Sequence, residues 1–163
     1  MATSPGRGLL GDLSVGCTDG DLEIDGFEGD LSVRTTDGEI RVGKGKGSLN
    51  MHTGDGDVEA AGIFTSVDCS TRDGDAVLTF LDGSILKGDC ILRSGDGDLS
   101  LIVPHEMSFT LEVKTGDGDI RMDDIGFDGV SLQKRNRFRA RRGDGSYTIK
   151  VNTGDGDVSF REL

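Results

Sequence analysis

One six-residue stretch recurs through the chain and constrains its fold more than any other feature. The clearest copy is TGDGDV at residues 53–58. Six further copies keep an Asp-Gly pair followed by Asp or Glu, and they begin at Cys17, Thr35, Thr71, Ser94, Thr115 and Thr153. Repeats with a period of about 20 residues are typical of solenoids.

The spacing of the copies is regular over most of the chain. The motif glycines from Gly20 to Gly74 follow at intervals of 18 residues, and the next two intervals are 23 and 21. The last interval, from Gly118 to Gly156, is 38 residues. That length implies one coil whose corner has lost the motif or carries an insertion.

Short runs of alternating apolar and polar residues flank each copy, as in Leu31-Ser-Val33 before one copy and Ile40-Arg-Val42 after it. Alternation with period two predicts half-buried strands. The Asp-Gly pair between the runs predicts a turn, because glycine accepts positive φ. A second corner varies in length and composition, at 25–30, 43–47, 61–65, 82–88 and 104–108, which predicts surface loops.

The position before each turn separates stacked coils from a string of hairpins. It is small and mostly hydroxylated in every unit, and stacked coils would align these residues in a ladder about 4.8 Å apart. We call it the hydroxyl column: Cys17, Thr35, Thr53, Thr71, Ser94, Thr115 and Thr153. The column favours a solenoid over a sandwich or barrel, since hairpins do not require this identity.

The sequence therefore predicts an all-β, single-domain β-solenoid. We expect a right-handed β-helix of about 7–8 coils, with about 18–23 residues per coil. Residues 1–9 are predicted to be an N-terminal extension or cap, and residues 10–163 the solenoid domain, with an irregular basic segment at 123–142.

Composition excludes several classes of function. The net charge of −12 argues against nucleic acid as a partner. With no Trp, one Tyr and seven Phe, the core is expected to consist of aliphatic and small residues. The three cysteines, Cys17, Cys69 and Cys90, lack zinc-site spacing and are expected to be buried small apolar residues. No apolar run reaches membrane-helix length, and no signal peptide opens the chain, which leaves its location undetermined.

A family resemblance rests on the repeated units together with three longer features. These are the turn at Val103-Pro104, the run FTLEVKTGDGDI from Phe109 and the ending GDGSYTIKVNTGDGDV from Gly143. Over roughly residues 10 to 161 the chain resembles the bacterial putative-adhesin domain of unknown function, also called the Toastrack domain. The resemblance implies a β-solenoid that is often secreted or tethered at the cell envelope. It implies no catalytic residues and no cofactor.

Acidic residues on either side of the motif glycine form two further columns. The first acidic column is Asp19, Asp37, Asp55, Asp73, Asp96, Asp117 and Asp155. The second acidic column is Asp21, Glu39, Asp57, Asp75, Asp98, Asp119 and Asp157. Carboxylates stacked about 5 Å apart suit calcium, so the first column is a candidate cation edge. The alternative, given more weight, is that the Asp side chains accept hydrogen bonds from nearby backbone N–H groups.

Six of the eighteen Lys and Arg residues lie within nine positions and form a candidate interaction site. They are Lys134, Arg135, Arg137, Arg139, Arg141 and Arg142. This run could contact an anionic lipid, a polyanion or an acidic edge, and the alternative is a solvated loop or strand. His52 and His105 lack metal-like companions and are expected at the surface.

The preferred function is a non-catalytic, adhesin-like structural or interaction protein of the bacterial cell envelope. Its partner would be a protein, an envelope component or a second copy of itself. A self-assembling cytoplasmic scaffold of the bactofilin kind is one alternative. A polysaccharide-binding or polysaccharide-active solenoid is another, although the sequence contains none of the common catalytic motifs.

Overall fold

The computed structural model describes residues 2–4, 9–123 and 125–163, and every regular element in these ranges is a strand. The all-β prediction is confirmed. The strands are β1 (Ala2–Ser4), β2 (Leu9–Leu10), β3 (Leu13–Asp19), β4 (Leu22–Asp37), β5 (Ile40–His52), β6 (Val58–Ser70), β7 (Ala76–Phe80), β8 (Cys90–Arg93), β9 (Leu99–Val103), β10 (Phe109–Lys114), β11 (Ile120–Asp123), β12 (Gly129–Lys134), β13 (Arg137–Arg142), β14 (Thr148–Asn152) and β15 (Val158–Glu162).

Successive units lie on one another through parallel ladders. Between β4 and β5, Leu31 pairs with Leu49 and Ile40 with Arg41's neighbour one unit earlier, Leu22, so that partners are 18 residues apart. The same offset continues from β5 to β6. Such in-register pairing of consecutive units is what a solenoid requires, while the coil number and handedness remain predictions.

The stack does not follow chain order at its C-terminal end. β14 lies between β8 and β10, pairing Ile149 with both Cys90 and Leu111. β15 likewise lies between β9 and β11. The last unit of the sequence is thus inserted between the two units that precede it.

The long interval between the last two motifs contains a hairpin. β12 and β13 pair antiparallel, and β13 pairs antiparallel with β10. The predicted irregular segment 123–142 is therefore largely two strands that cover β10, and Asp124 within it lies outside the described residues. In the predicted N-terminal extension, β1 and β2 pair with β4, whereas Met1 and Pro5–Gly8 are also outside the described residues.

The hydroxyl column links each turn to its neighbour in the stack. Thr71 Oγ1 donates to the Gly56 carbonyl at 3.0 Å, and Thr115 Oγ1 donates to that of Gly156 at 2.9 Å. Thr115 Oγ1 also accepts from the N–H of Gly118 at 3.1 Å. Buried backbone groups at the corner are thereby satisfied, which explains why a small hydroxylated residue recurs there.

Close approach of neighbouring turns, rather than positive φ, explains most motif glycines. Only Gly20 and Gly38 have positive φ, 115° and 143°. At Gly156 a Cβ would lie 2.1 Å from the Gly97 carbonyl oxygen, and at Gly118 it would lie 1.9 Å from that of Gly156. The turn prediction was right, but its proposed cause holds for only two copies.

The second corner was wrongly predicted as loops throughout. Residues 25–30, 43–47 and 61–65 lie inside the long strands β4, β5 and β6, whose ladders continue around the corner. Only 82–88 and 104–108 fall between strands. Sheet hydrogen bonding around a corner satisfies the backbone without a loop.

The core lies between the inward faces of these ladders and contains more aromatic packing than composition suggested. Leu31, Ile40, Leu101 and Ile149 are buried among many aliphatic neighbours. All seven Phe residues also join aromatic pairs: Phe27, Phe64 and Phe80 in one cluster, and Phe109, Phe127, Phe138 and Phe160 in the other.

Candidate functional site

The second acidic column makes hydrogen bonds along the stack. The N–H of Asp75 donates to Oδ1 of Asp57 at 2.9 Å, and the N–H of Asp98 donates to Oδ1 of Asp75 at 2.8 Å. Asp157 and Asp119 extend the series at 2.7 and 2.9 Å. These carboxylates therefore act as acceptors for the backbone of the next turn, as the alternative interpretation of the acidic edge supposed.

The first acidic column, the candidate cation edge, is aligned but not clustered. Asp19 is paired in register with Asp37, and Asp37 with Asp55. Asp55 has one ion pair, 3.9 Å from Arg72. Within the described ranges, no group of three or more His, Cys, Asp or Glu side chains is arranged to hold a metal ion. Calcium binding at this edge remains a prediction.

Five of the six predicted basic residues lie exposed on the hairpin at one end of the stack. Arg137, Arg139 and Arg141 alternate with buried Phe138 and Ala140 along β13, so that their side chains share the outward face. Arg139 pairs with Glu112 at 3.1 Å. The hairpin therefore presents a mainly basic strand to solvent.

Arg142 does not belong to this exposed surface. Its side chain is only 10% exposed and contacts Glu162 at 2.8 Å, and His105 Nδ1 also contacts the Glu162 carboxylate. The contact with His105, and secondly that with Arg142, holds the pKa of Glu162 below its usual value. This cluster joins the loop before β10 to the last strand, and its role is structural.

The cysteines and histidines occupy different environments from one another. Burial raises the pKa of the Cys69 and Cys90 thiols to about 12, so these thiols are unreactive. Cys17 was wrongly predicted to be buried; it is exposed because β3 pairs on one side only, with β4. His52 and His105 lie at the surface as expected, His52 half-buried and His105 exposed.

A column of basic residues was missed by the sequence analysis. It occupies the position directly before the hydroxyl column, where the strand's outward side chains reach the corner. In stack order this basic column is Gly16, Arg34, His52, Ser70, Arg93, Asn152, Lys114 and Arg137. Seven of the eight precede a hydroxyl-column residue in the sequence, so aligning the units would have revealed a position without any acid.

The described residues include no helix able to span a membrane.

Comparison with known proteins identifies a family and one fold neighbour. The family model described as Toastrack DUF4097 matches residues 9–89 and, in a second overlapping match, 48–161. The chain is also similar to the crystal structure of a putative cell adhesion protein from Clostridium sporogenes, with a TM-score of 0.54 and 13% identity over 96% of this chain and 94% of that one. At this identity the likeness concerns the fold alone. No curated protein gives a significant match.

Proposed function

Because the chain belongs to the Toastrack DUF4097 family, we propose that it is a non-catalytic, adhesin-like interaction protein of the bacterial cell envelope. The name of the fold neighbour, a putative cell adhesion protein, points in the same direction. The proposal takes the chain to be one right-handed β-solenoid domain of 7–8 coils over residues 10–163.

One observation carries the proposal: charged side chains are displayed in continuous outward columns along the stack. The basic column and the two acidic columns run in register across successive strands. A rigid surface with charges at fixed spacing can bind an extended or repetitive partner without rearranging. Binding by such a surface requires no catalytic cleft.

The alternative of a polysaccharide-active enzyme finds less support. One small groove brings together Glu23, Asp25 and Glu59 around Arg41. Glu59 is 63% exposed and 3.9 Å from Arg41, whose guanidinium is 59% exposed. Carboxylates this open to water lack the desolvation that usually prepares a general acid.

The basic hairpin is the proposed contact with an anionic envelope component or an acidic protein. Lys134, Arg135, Arg137, Arg139 and Arg141 are all exposed there. Arg142 is left out of the proposed surface because its guanidinium is buried against Glu162.

The test is co-sedimentation of the purified protein with isolated bacterial cell-wall fragments. We expect the wild type to pellet with the walls and Arg137→Glu/Arg141→Glu to reduce the bound fraction several-fold. The control, Lys87→Glu/Arg161→Glu, makes the same charge change at exposed positions away from the hairpin. A wild type that stays in solution, or equal losses in both variants, would refute the proposal.

A bactofilin-like scaffold would need the stack ends to join. At one end the outermost strand is β12, which pairs only with β13, belongs to the antiparallel hairpin and ends in Lys134. Charged residues and changed strand direction protect an edge against further pairing. Filaments in negative-stain images of the purified protein would nevertheless favour the scaffold over the adhesin-like function.

A further inference from the structure

The basic column runs the length of one face and contains no acid at any of its eight positions. Arg34 pairs with His52, Arg93 with Asn152, and Lys114 with Arg137 in consecutive ladders. With strands about 4.8 Å apart, eight positions span about 34 Å. This is a linear array of positive charge on a protein whose net charge is −12.

The charges of this column are not neutralised within the molecule. Arg34, Arg93, Lys114 and Arg137 have no carboxylate within 4.0 Å in the part of the chain that the structure describes. The chain has 30 Asp and Glu residues against 18 Lys and Arg, so pairing partners are abundant elsewhere. These four cations are therefore available to an external anion.

An open groove of about 580 Å³ lies beside the column at four successive turns. Arg34, His52 and Arg93 form one wall, and Arg72 stands on the other side. The floor is open because Gly54 and Gly95 have no side chain; a Cβ there would lie 2.5 and 2.4 Å from a carbonyl oxygen of the neighbouring turn. No Asp or Glu lines this groove.

The column continues from this groove into a second depression of about 310 Å³. Lys114, Arg137 and Asn152 line it, together with Lys150. Its one acid, Glu112, is engaged by Arg139 at 3.1 Å. The two depressions and the residues between them form one continuous, cationic binding track.

We propose that this track binds an acidic polysaccharide, a chain of carboxylate-bearing sugars lying along the stack. A guanidinium can hold a carboxylate through two parallel hydrogen bonds, and three arginines border the first groove. The hydroxyl of Ser70 and the amide of Asn152 lie between the cations and can bond sugar hydroxyls. The inference rests on the proposed non-catalytic binding role and names its ligand class.

The geometry favours this ligand over other polymers. A pyranose unit in an extended chain advances by about one strand spacing, so that successive carboxylates stay in step with the column. An extended peptide presents side chains on one face about every 6.6 Å, which is out of step with 4.8 Å. The first groove contains no aromatic side chain, whereas single-stranded nucleic acids and neutral sugars are commonly held by stacking on aromatic rings.

The test measures binding of polygalacturonate to the full chain by biolayer interferometry at low and moderate salt. We expect saturable binding that Arg34→Ser/Arg93→Ser weakens at least tenfold. The matched control, Lys87→Ser/Arg161→Ser, removes the same charge from exposed positions outside both depressions and should change affinity less than twofold. Thermal melting checks that the variants are folded, and Arg34→Gln/Arg93→Gln replaces the first variant if it is not.

Dextran, polyglutamate and an oligothymidylate serve as competitor probes. Weak competition by all three supports the proposal. Tighter binding of polyglutamate or of the oligonucleotide, equal losses in both serine variants, or no binding of polygalacturonate would overturn it. Because the polymer is purified and the hairpin intact, failure here is distinct from failure of cell-wall binding.

Discussion

Glycine at the motif corner is a packing requirement between neighbouring turns. The sequence analysis placed glycine there correctly but attributed it to backbone conformation, because a single unit read alone shows only a turn. The distance between Gly156 and Gly97, which are adjacent in the stack and distant in the chain, cannot be seen from one unit.

Alanine at Gly156 is therefore expected to destabilise the protein strongly. Its Cβ would lie 2.1 Å from the Gly97 carbonyl oxygen, and relieving that overlap would force two backbones apart. The cost should be at least about 2 kcal/mol in the free energy of unfolding, as for overpacked sites. Denaturant titration measures it, with Gly126→Ala as the control because a Cβ at Gly126 meets no atom within 4 Å. Equal stability of the two variants would contradict the explanation.

The contact of Glu162 with His105 and Arg142 should make stability depend on acid pH. Because the folded pKa of Glu162 is below the ordinary value of 4.5, its contribution is present above that value and is lost as the pH falls through the folded pKa. Glu162→Gln should lower the urea midpoint at pH 7 and converge with the wild type near pH 3, about 1.5 units below the ordinary value. Glu23→Gln, at an exposed position, should leave the curve unchanged; a Glu162→Gln difference that persists at low pH would argue against the contact.

At the scale of elements, the sequence predicted the strands better than their order. Alternation around each motif located the paired strands, such as β14 and β15 around Thr153, because inward apolar residues are needed wherever a unit sits. The order of units in the stack is not encoded in that pattern, since all units present similar inward faces. The insertion of the last unit depends on pairings 59 residues apart, such as Ile149 with Cys90.

Truncation after Asp144 tests this insertion. β10 reaches β8 only through β14, and β11 reaches β9 only through β15. Removing both C-terminal strands should leave β10–β13 detached, so that their amides exchange rapidly with deuterium while those of β4–β6 remain protected. If β10–β13 stayed protected, the remaining units would have to stack in chain order.

At the scale of the whole molecule, the candidate site was only partly predictable. The acidic columns were found because Asp recurs within the motif itself, and the basic hairpin because its charges are consecutive. The basic column escaped notice because its members, such as Arg34 and Arg93, are far apart in the chain and differ in residue type. Only stacking brings them into one line, and the inserted unit makes Asn152 the neighbour of Arg93.

The central claim is that the stack order joins these residues into continuous columns, and disulfide trapping tests it most directly. In a Cys17→Ser background, Cys69 and Cys90 are buried and unreactive. Arg93→Cys/Asn152→Cys places thiols on adjacent strands, about 4.8 Å apart, within disulfide range. Arg93→Cys/Lys114→Cys places them two strands apart, about 9.6 Å, beyond that range.

Mild oxidation followed by mass spectrometry should therefore detect an intramolecular disulfide in the first variant and free thiols in the second. The opposite result would mean that the units stack in chain order, and it would break both the basic column and the binding track derived from it.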